Sequence, residues 1–269
     1  MNIDSNGVRI HVRESGNGRE GNVALVFLHY WGGSSRTWRP VIETLGGGYR
    51  TVAYDHRGWG ESDAPADGYA IGDLADDAQA VIAKLGLEHY VFVGHSMGGK
   101  VAQCVAARRP PGLAGVVLVA PSPPLPMDVS DEQRTQMAHA YDSRESVEAV
   151  VDHVLTAGTL SSALREQVIA DSLAGAPQAK AAWPQSAMRE DISEAAKRID
   201  VPVLVIAGEH DRVDPPDTLR RALMPYIEHA RMEVLPGTGH LSPLEAPAAV
   251  ASLIDEFAQA LGGGERSAK

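Results

Sequence analysis

Short, continuous runs of apolar and mostly β-branched residues recur along the chain, and helical patterns separate most of them. Continuous runs of this kind are typical of strands that are buried on both faces of a sheet. When such strands alternate with helices, they form a mostly parallel sheet covered by helices on both sides. The predicted strands lie at 23–28, 51–54, 90–93, 116–119, 201–206 and 232–235, and the helices between them at 71–85, 98–109, 216–225 and 246–261.

Two parts of the chain depart from this pattern. Residues 8–12 alternate between apolar and polar side chains, which predicts an exposed antiparallel edge strand. Between residues 122 and 197 the strands stop, and only helical patterns follow, for example at 146–155 and 163–173. The predicted division is therefore a core of residues 1–121 and 198–261, an inserted helical cap of residues 122–197 and a disordered tail of residues 262–269.

Composition excludes several classes of partner. The chain has 269 residues, a net charge of −11 and a pI of about 5.3. Such acidity argues against binding to nucleic acid or to an anionic membrane. No apolar stretch is long enough to span a bilayer, and no signal peptide is recognisable. Since Cys104 is the only cysteine, no intrachain disulfide can form, and we expect a cytoplasmic protein.

A serine motif stands where a predicted strand meets a predicted helix. The residues Gly94-His95-Ser96-Met97-Gly98 match G-x-S-x-G, and they lie between the strand at 90–93 and the helix at 98–109. A nucleophile elbow has this context, because its serine occupies a strained turn that only small neighbours permit. We therefore predict Ser96 as a nucleophile at the N-terminus of a helix, where backbone amides favour negative charge.

A serine hydroxyl needs a general base, and His240 is the best candidate among the 10 histidines. It follows a predicted strand and therefore lies at the edge of the sheet that also carries the elbow. Asp211 ends another predicted strand and can orient the ring of His240 through its second nitrogen. The order Ser96, Asp211, His240 is that of an α/β-hydrolase triad. Asp128 is a rival for the acid, although the prolines before it favour a path into the cap.

Attack on a carbonyl also requires donors for the oxyanion. We predict the backbone N–H of Met97, which follows the nucleophile, and that of Tyr30, in the loop after the strand at 23–28. Residues 29–33 (His29-Tyr30-Trp31-Gly32-Gly33) are called the oxyanion loop below. His29 is predicted to hold this loop rather than to titrate during catalysis.

Together these motifs resemble the α/β-hydrolase superfamily over nearly the whole chain. The resemblance is greatest to small cap-bearing carboxylesterases, lactonases and cofactor-free haloperoxidases or perhydrolases. It implies an eight-stranded, mostly parallel sheet with helices on both faces, and a structural role for residues 55–62. Most relatives have His-Gly where this chain has His29-Tyr30. Backbone donation survives that change, but the larger side chain is expected to narrow the acyl pocket.

The cap should cover Ser96 and supply an apolar pocket for an acyl group. We expect Trp31 and Trp183 to touch the substrate, with Met127 and Tyr141 also at the pocket; alternatively, most cap side chains only pack against one another. The remaining apolar cap candidates are Met137, Leu155, Leu160 and Met188.

Three functions remain open. The first is a serine hydrolase acting on small to medium apolar esters or lactones, including acyl-homoserine lactones. The second is a cofactor-free haloperoxidase or perhydrolase, and the third is a small-ligand receptor on the same fold. No cofactor or metal is expected, since neither a metal-ligand constellation nor a phosphate-binding loop is present. The sequence does not determine the natural substrate or the oligomeric state.

Overall fold

A computed structural model describes residues 1–18 and 22–262. The strands form one eight-stranded sheet in the order β1-β2-β4-β3-β5-β6-β7-β8, in which every pair from β4 to β8 is parallel. The predicted α/β architecture is therefore confirmed. The strands are β1 (Asn2–Ser5), β2 (Val8–Ser15), β3 (Ala24–Leu28), β4 (Thr51–Tyr54), β5 (Tyr90–His95), β6 (Leu113–Val119), β7 (Val203–Gly208) and β8 (Arg231–Leu235).

The N-terminal edge of the sheet differs from the prediction. Residues 8–12 belong to β2, which is antiparallel as expected but lies between β1 and β4. The edge strand is β1, whose four residues are too few and too polar to give a pattern. The turn Asn6-Gly7, with φ of 52° and 82°, joins the two strands. Asn-Gly is a strong hairpin signal, so the sequence did contain evidence for this extra strand.

Helices cover both faces of the sheet. Along β3, Leu25 and Phe27 pack in a layer with α1 and α11, whereas Val26 and Leu28 pack in the opposite layer with α2 and α3. This alternation explains the continuous apolar run, because both faces of the strand are buried. The helices are α1 (Arg39–Leu45), α2 (Ile71–Leu85), α3 (Met97–Ala107), α4 (Asp131–Ala138), α5 (Arg144–Val150), α6 (Ser162–Ala174), α7 (Pro177–Gln185), α8 (Ser193–Ala196), α9 (Pro216–Ala222), α10 (Ser242–Glu245) and α11 (Pro247–Gly262).

The segment between β6 and β7 contains α4 to α8, and α5 continues into one π-helical turn at Val151–Leu155. Its division from the core at residues 122 and 197 stays a prediction. The predicted tail at 262–269 lies outside the described residues, except for Gly262 at the end of α11. Within the described ranges, no helix is both long and apolar enough to cross a bilayer.

Candidate active site

Ser96 lies between the end of β5 and the start of α3, as the motif predicts. Its backbone has φ 53° and ψ −115°, a region that L-residues rarely adopt and that costs about 1–3 kcal/mol. The sheet holds this conformation: the Ser96 N–H donates to the Val119 carbonyl at 3.1 Å, and the Ser122 N–H donates to the Ser96 carbonyl at 3.1 Å. The strained turn is therefore fixed by the strand β6 and the residues that follow it.

The glycines of the motif are required by close backbone contacts. A Cβ atom on Gly94 would lie 2.4 Å from the Gly98 carbonyl oxygen, and one on Gly98 would lie 2.6 Å from the Leu28 carbonyl oxygen. Both distances are shorter than any ordinary contact. The turn can therefore be this tight only because neither residue has a side chain.

His240 and Asp211 form a buried pair at the same edge of the sheet. The distance from His240 Nδ1 to Asp211 Oδ2 is 2.8 Å, and neither side chain is more than 2% exposed. The other oxygen, Asp211 Oδ1, accepts from the N–H groups of Val213 at 2.8 Å and Asp214 at 3.1 Å. The carboxylate is thus oriented by its own turn and holds the ring of His240 through Nδ1.

The electrostatics of this pair favour an ionised aspartate. Burial alone would raise the pKa of Asp211, but His240 and the two backbone amides outweigh it and lower that pKa. Burial would likewise lower the pKa of His240, yet Asp211 raises it above its ordinary value of 6.5. The rival carboxylate, Asp128, lies at the wall of the cavity described below.

His95, the variable residue before Ser96, supports the loop of His240. Its Nε2 atom lies 2.8 Å from the His240 carbonyl oxygen. Burial lowers the pKa of His95 to about 3, so the ring is neutral and Nε2–H donates this hydrogen bond. Sequence reasoning missed this contact, because the x positions of G-x-S-x-G carry no fixed role.

The oxyanion loop, which carries the predicted donor Tyr30, begins against the elbow, since a Cβ atom on Gly98 would lie 2.7 Å from the His29 carbonyl oxygen. His29 is fully buried, its Nδ1–H donates to the Tyr30 carbonyl at 2.7 Å, and its Nε2 accepts from the His56 N–H at 2.9 Å. These contacts fit the structural role expected of His29, whose pKa is lowered by burial. Neither the Tyr30 nor the Met97 backbone N–H donates a hydrogen bond to any other residue in the described part of the chain.

A cavity of about 450 Å³ lies between the elbow and the segment that contains α4 to α8. Ser96 and His240 are both part of its wall. Most of the remaining wall is apolar or aromatic, as expected for a pocket that binds a small organic molecule. The four predicted pocket residues are all at this wall: Trp31, Met127, Tyr141 and Trp183.

The model of the α/β hydrolase family matches residues 25–253, which is most of the chain. The chain belongs to this family. The resemblance drawn from the serine motif and its context is therefore confirmed.

Relatives in the family carry several activities in their names. A non-heme chloroperoxidase of Streptomyces lividans is 33% identical, covering 78% of this chain and 82% of its own length. A bifunctional esterase/perhydrolase of Acinetobacter calcoaceticus is 30% identical, covering 81% and 85%. Among solved structures, Est816, an N-acyl homoserine lactone degrading enzyme, is 26% identical with a TM-score of 0.83, covering 96% of this chain and all of its own.

The cavity wall of this α/β hydrolase also contains residues that sequence reasoning missed. The missed residues are Gln133, Gln136 and Ala140. With the cap candidate Met137 they line the cavity at the spacing i, i+3, i+4, i+7 of one helix face, although α4 itself spans only Asp131–Ala138. That spacing was visible in the sequence, but two of the four side chains are amides. Of the other cap candidates, Met137 and Leu155 line the cavity, whereas Leu160 and Met188 pack in the core.

Asp214 is a second buried carboxyl group beside the pair. Its side chain is 2% exposed, and Oδ2 has no hydrogen-bond partner among the described residues. Burial, and then the neighbouring Asp211, raise the pKa of Asp214 to about 8. At neutral pH, Asp211 is therefore the charged carboxylate beside His240, and Asp214 is largely protonated.

Proposed function

We propose that this α/β hydrolase cleaves carboxylic esters or lactones with small to medium apolar acyl groups, through an acyl-enzyme on Ser96. The observation that carries this proposal is the cavity of about 450 Å³, whose wall includes Ser96 and a His240 that is bonded to Asp211 at 2.8 Å. A nucleophile, a base and an orienting carboxylate at one apolar cavity are the parts that acyl transfer requires.

In the proposed reaction, Ser96 Oγ attacks the carbonyl carbon while His240 Nε2 takes the hydroxyl proton. Asp211 keeps the other proton on Nδ1 and stabilises the imidazolium. The backbone N–H groups of Tyr30 and Met97 receive the oxyanion. His240 then gives its proton to the leaving alkoxide, and a water molecule repeats these steps on the acyl-enzyme to release the acid.

The substrate class follows from the wall of the cavity. The aromatic side chains of Trp31 and Trp183 and the aliphatic ones of Met127 and Leu155 suit an apolar acyl chain, whereas Gln136 offers an amide to a polar part. The Gln133 side chain also lies at the wall, but its Oε1 already accepts from the Ser130 N–H at 2.8 Å. A lactone with an amide-linked acyl chain combines both features. The name of Est816 supports testing N-acyl homoserine lactones alongside simple esters.

A second candidate is perhydrolysis, which the names of the chloroperoxidase and esterase/perhydrolase relatives favour. Here hydrogen peroxide replaces water as the acceptor, so that the acyl-enzyme yields a peracid and free Ser96. Both candidates share the first half-reaction. They differ in whether peroxide competes with water, which a peracid assay at graded peroxide concentration measures.

The proposal is tested with p-nitrophenyl esters and N-acyl homoserine lactones of graded chain length. We expect steady turnover of one series and labelling of Ser96 by a fluorophosphonate. Ser96→Ala should abolish labelling and reduce kcat by about 10⁶-fold, as for other triad serines. The matched control is Ser5→Ala, a buried serine of the edge strand β1 that does not line the cavity, which should behave as wild type.

Two results would contradict the proposal. If Ser96→Ala keeps more than about a tenth of the wild-type kcat, the nucleophile is another group. If the wild type releases one equivalent of p-nitrophenol and then stalls, the chain is a receptor that retains the triad rather than a turning-over enzyme.

A further inference from the structure

Three consecutive carbonyl groups fix the backbone of the oxyanion loop. The Tyr30 carbonyl accepts from His29 Nδ1–H at 2.7 Å and from the Gly33 N–H at 3.0 Å. The next two carbonyls accept from the cap: Tyr141 Oη–H donates to Trp31 at 3.0 Å, and Ser172 Oγ–H donates to Gly32 at 3.0 Å. Residues of the loop itself therefore hold the first of these three carbonyl groups, and residues of the segment that contains α4 to α8 hold the other two.

The donors from the cap are themselves immobilised. Tyr141 is 2% exposed and Ser172 is fully buried. The Tyr141 ring lies 4.3 Å from the Trp31 ring, between centroids. Lys180 Nζ donates to the Tyr141 carbonyl at 2.9 Å and to the Leu173 carbonyl at 2.9 Å, joining the two cap segments that carry these donors.

Gly32 makes the close approach of the cap possible. Its φ is +94°, and a Cβ atom at this position would lie 2.5–2.6 Å from the ring carbons and hydroxyl of Tyr141. The Tyr141 ring therefore rests directly on the backbone, two residues after the Tyr30 N–H. A tyrosine that only lined the pocket would not need its hydroxyl buried in a hydrogen bond to the loop.

We propose that Tyr141 is a positioning residue, which sets the oxyanion loop so that the Tyr30 N–H meets the oxyanion; Ser172 assists it from α6. This inference rests on the proposed function, because it takes the Tyr30 N–H as an oxyanion donor. Its consequence is that the cap completes the catalytic geometry rather than only enclosing the substrate. A misplaced donor stabilises the transition state less, because the oxyanion carries charge there. The ground state is affected less, since little charge has developed on the carbonyl oxygen.

The test is Tyr141→Phe, which keeps the ring on Gly32 and removes only the hydroxyl. We expect kcat for the preferred p-nitrophenyl ester to fall about tenfold, with KM within about twofold. The Ki of a trifluoromethyl ketone, which forms an oxyanion on Ser96, should rise by the same factor as kcat falls. The Ki of the matching methyl ketone, which binds without that charge, should not change. Ser172→Ala should show the same selectivity with a smaller loss.

The matched control is Tyr69→Phe, because the Tyr69 hydroxyl also donates to a backbone carbonyl, that of Pro65 at 2.8 Å, but does not line the cavity. It should leave kcat and both Ki values unchanged. The inference is overturned if Tyr141→Phe raises KM alone, or if it raises the Ki values of both ketones by the same factor. If Tyr141→Phe does not fold, Ser172→Ala decides by the same criteria. Failure of Ser96 labelling in the wild type would instead overturn the proposed function.

Discussion

The elbow around Ser96 and the oxyanion loop meet at one cavity, but different parts of the chain hold them. The backbone of Ser96 is bonded to Val119 and Ser122, which end β6 and follow it. The oxyanion loop receives two of its fixing hydrogen bonds from Tyr141 and Ser172, which lie far along the chain in the segment that contains α4 to α8. The end of β6 thus fixes the backbone of the nucleophile, whereas the segment that contains α4 to α8 helps to fix the loop that carries the oxyanion donor Tyr30. Changes to the two regions should have separable effects on catalysis.

The largest loss of kcat is expected from the Asp211–His240 pair, which lies with Ser96 at the edge of the sheet. Asp211→Asn should reduce kcat on the order of 10⁴-fold, because an amide favours the wrong tautomer of His240. Asp128→Asn should stay within about threefold of wild type, since Asp128 is an exposed residue of the cavity wall and His240 Nδ1 is bonded to Asp211 instead. Steady-state kinetics on both variants, each shown folded by circular dichroism, make the comparison. The reverse ranking would transfer the acid to Asp128.

A smaller but still large effect is expected where the cap meets the oxyanion loop. Gly32→Ala places a methyl group 2.5–2.6 Å from ring carbons and the hydroxyl of Tyr141, so the oxyanion loop and Tyr141 must move apart. A displacement of about 1 Å costs on the order of 10²-fold in kcat. Gly7→Ala is the matched control, because Gly7 also has positive φ but a Cβ there would meet no atom within 4 Å.

Gly7→Ala should therefore lower the melting temperature slightly and leave kcat unchanged. Gly32→Ala should lower kcat even at temperatures where it is fully folded. Equal kcat values for these two variants would mean that the contact between Gly32 and Tyr141 does not matter to the reaction.

The smallest effect concerns pH, and it reports on the Asp211–His240 pair together with Asp214, whose pKa of about 8 places its ionisation in the same range. His240 must be neutral to accept the Ser96 proton, and Asp211 raises the pKa of His240 above 6.5. The value of kcat/KM should therefore rise with pH through a midpoint above 6.5, falling about tenfold per pH unit below it. Burial keeps the pKa of His95 at about 3, so this ring does not titrate in the same range.

Tyr141→Phe should lower the whole pH profile without moving its midpoint, because Tyr141 touches the oxyanion loop and not the pair. A rate profile from pH 5 to 9 for wild type and variant measures this. A midpoint below 6.5 in the wild type, or one displaced in the variant, would argue against separate control of the two sides.

The sequence predicts those features of the site that depend on residues close together in the chain. The elbow could be located because a buried strand, Gly94, Ser96 and a helix follow one another directly. Asp211 and His240 could be paired because each follows a parallel strand, and such strands end at a common edge. Even β1 left the signal Asn6-Gly7, although its four residues, with Ile3 as the one apolar side chain, are too few to give a periodicity.

The cap resisted prediction because its contacts are not local. Apolar character indicated that Tyr141 belongs near the pocket, but nothing in the sequence says that its hydroxyl meets a carbonyl 110 residues earlier in the chain. The pocket face of α4 was missed because Gln133 and Gln136 read as solvent-exposed amides. The raised pKa of Asp214 depends first on its burial, which no sequence pattern around it shows.

The contact between Tyr141 and Gly32 also bears on how this enzyme could acquire new substrates. A wall residue that only excludes water can be exchanged for a larger or smaller one at the expense of fit alone, and Met127 and Trp183 are open to such exchange. Tyr141 both lines the cavity and positions the oxyanion loop. A substitution that widens the cavity there therefore also weakens the stabilisation of the oxyanion. Drift in chain-length preference should therefore proceed through the Met127 and Trp183 side of the cavity, while the Tyr141 side stays constant.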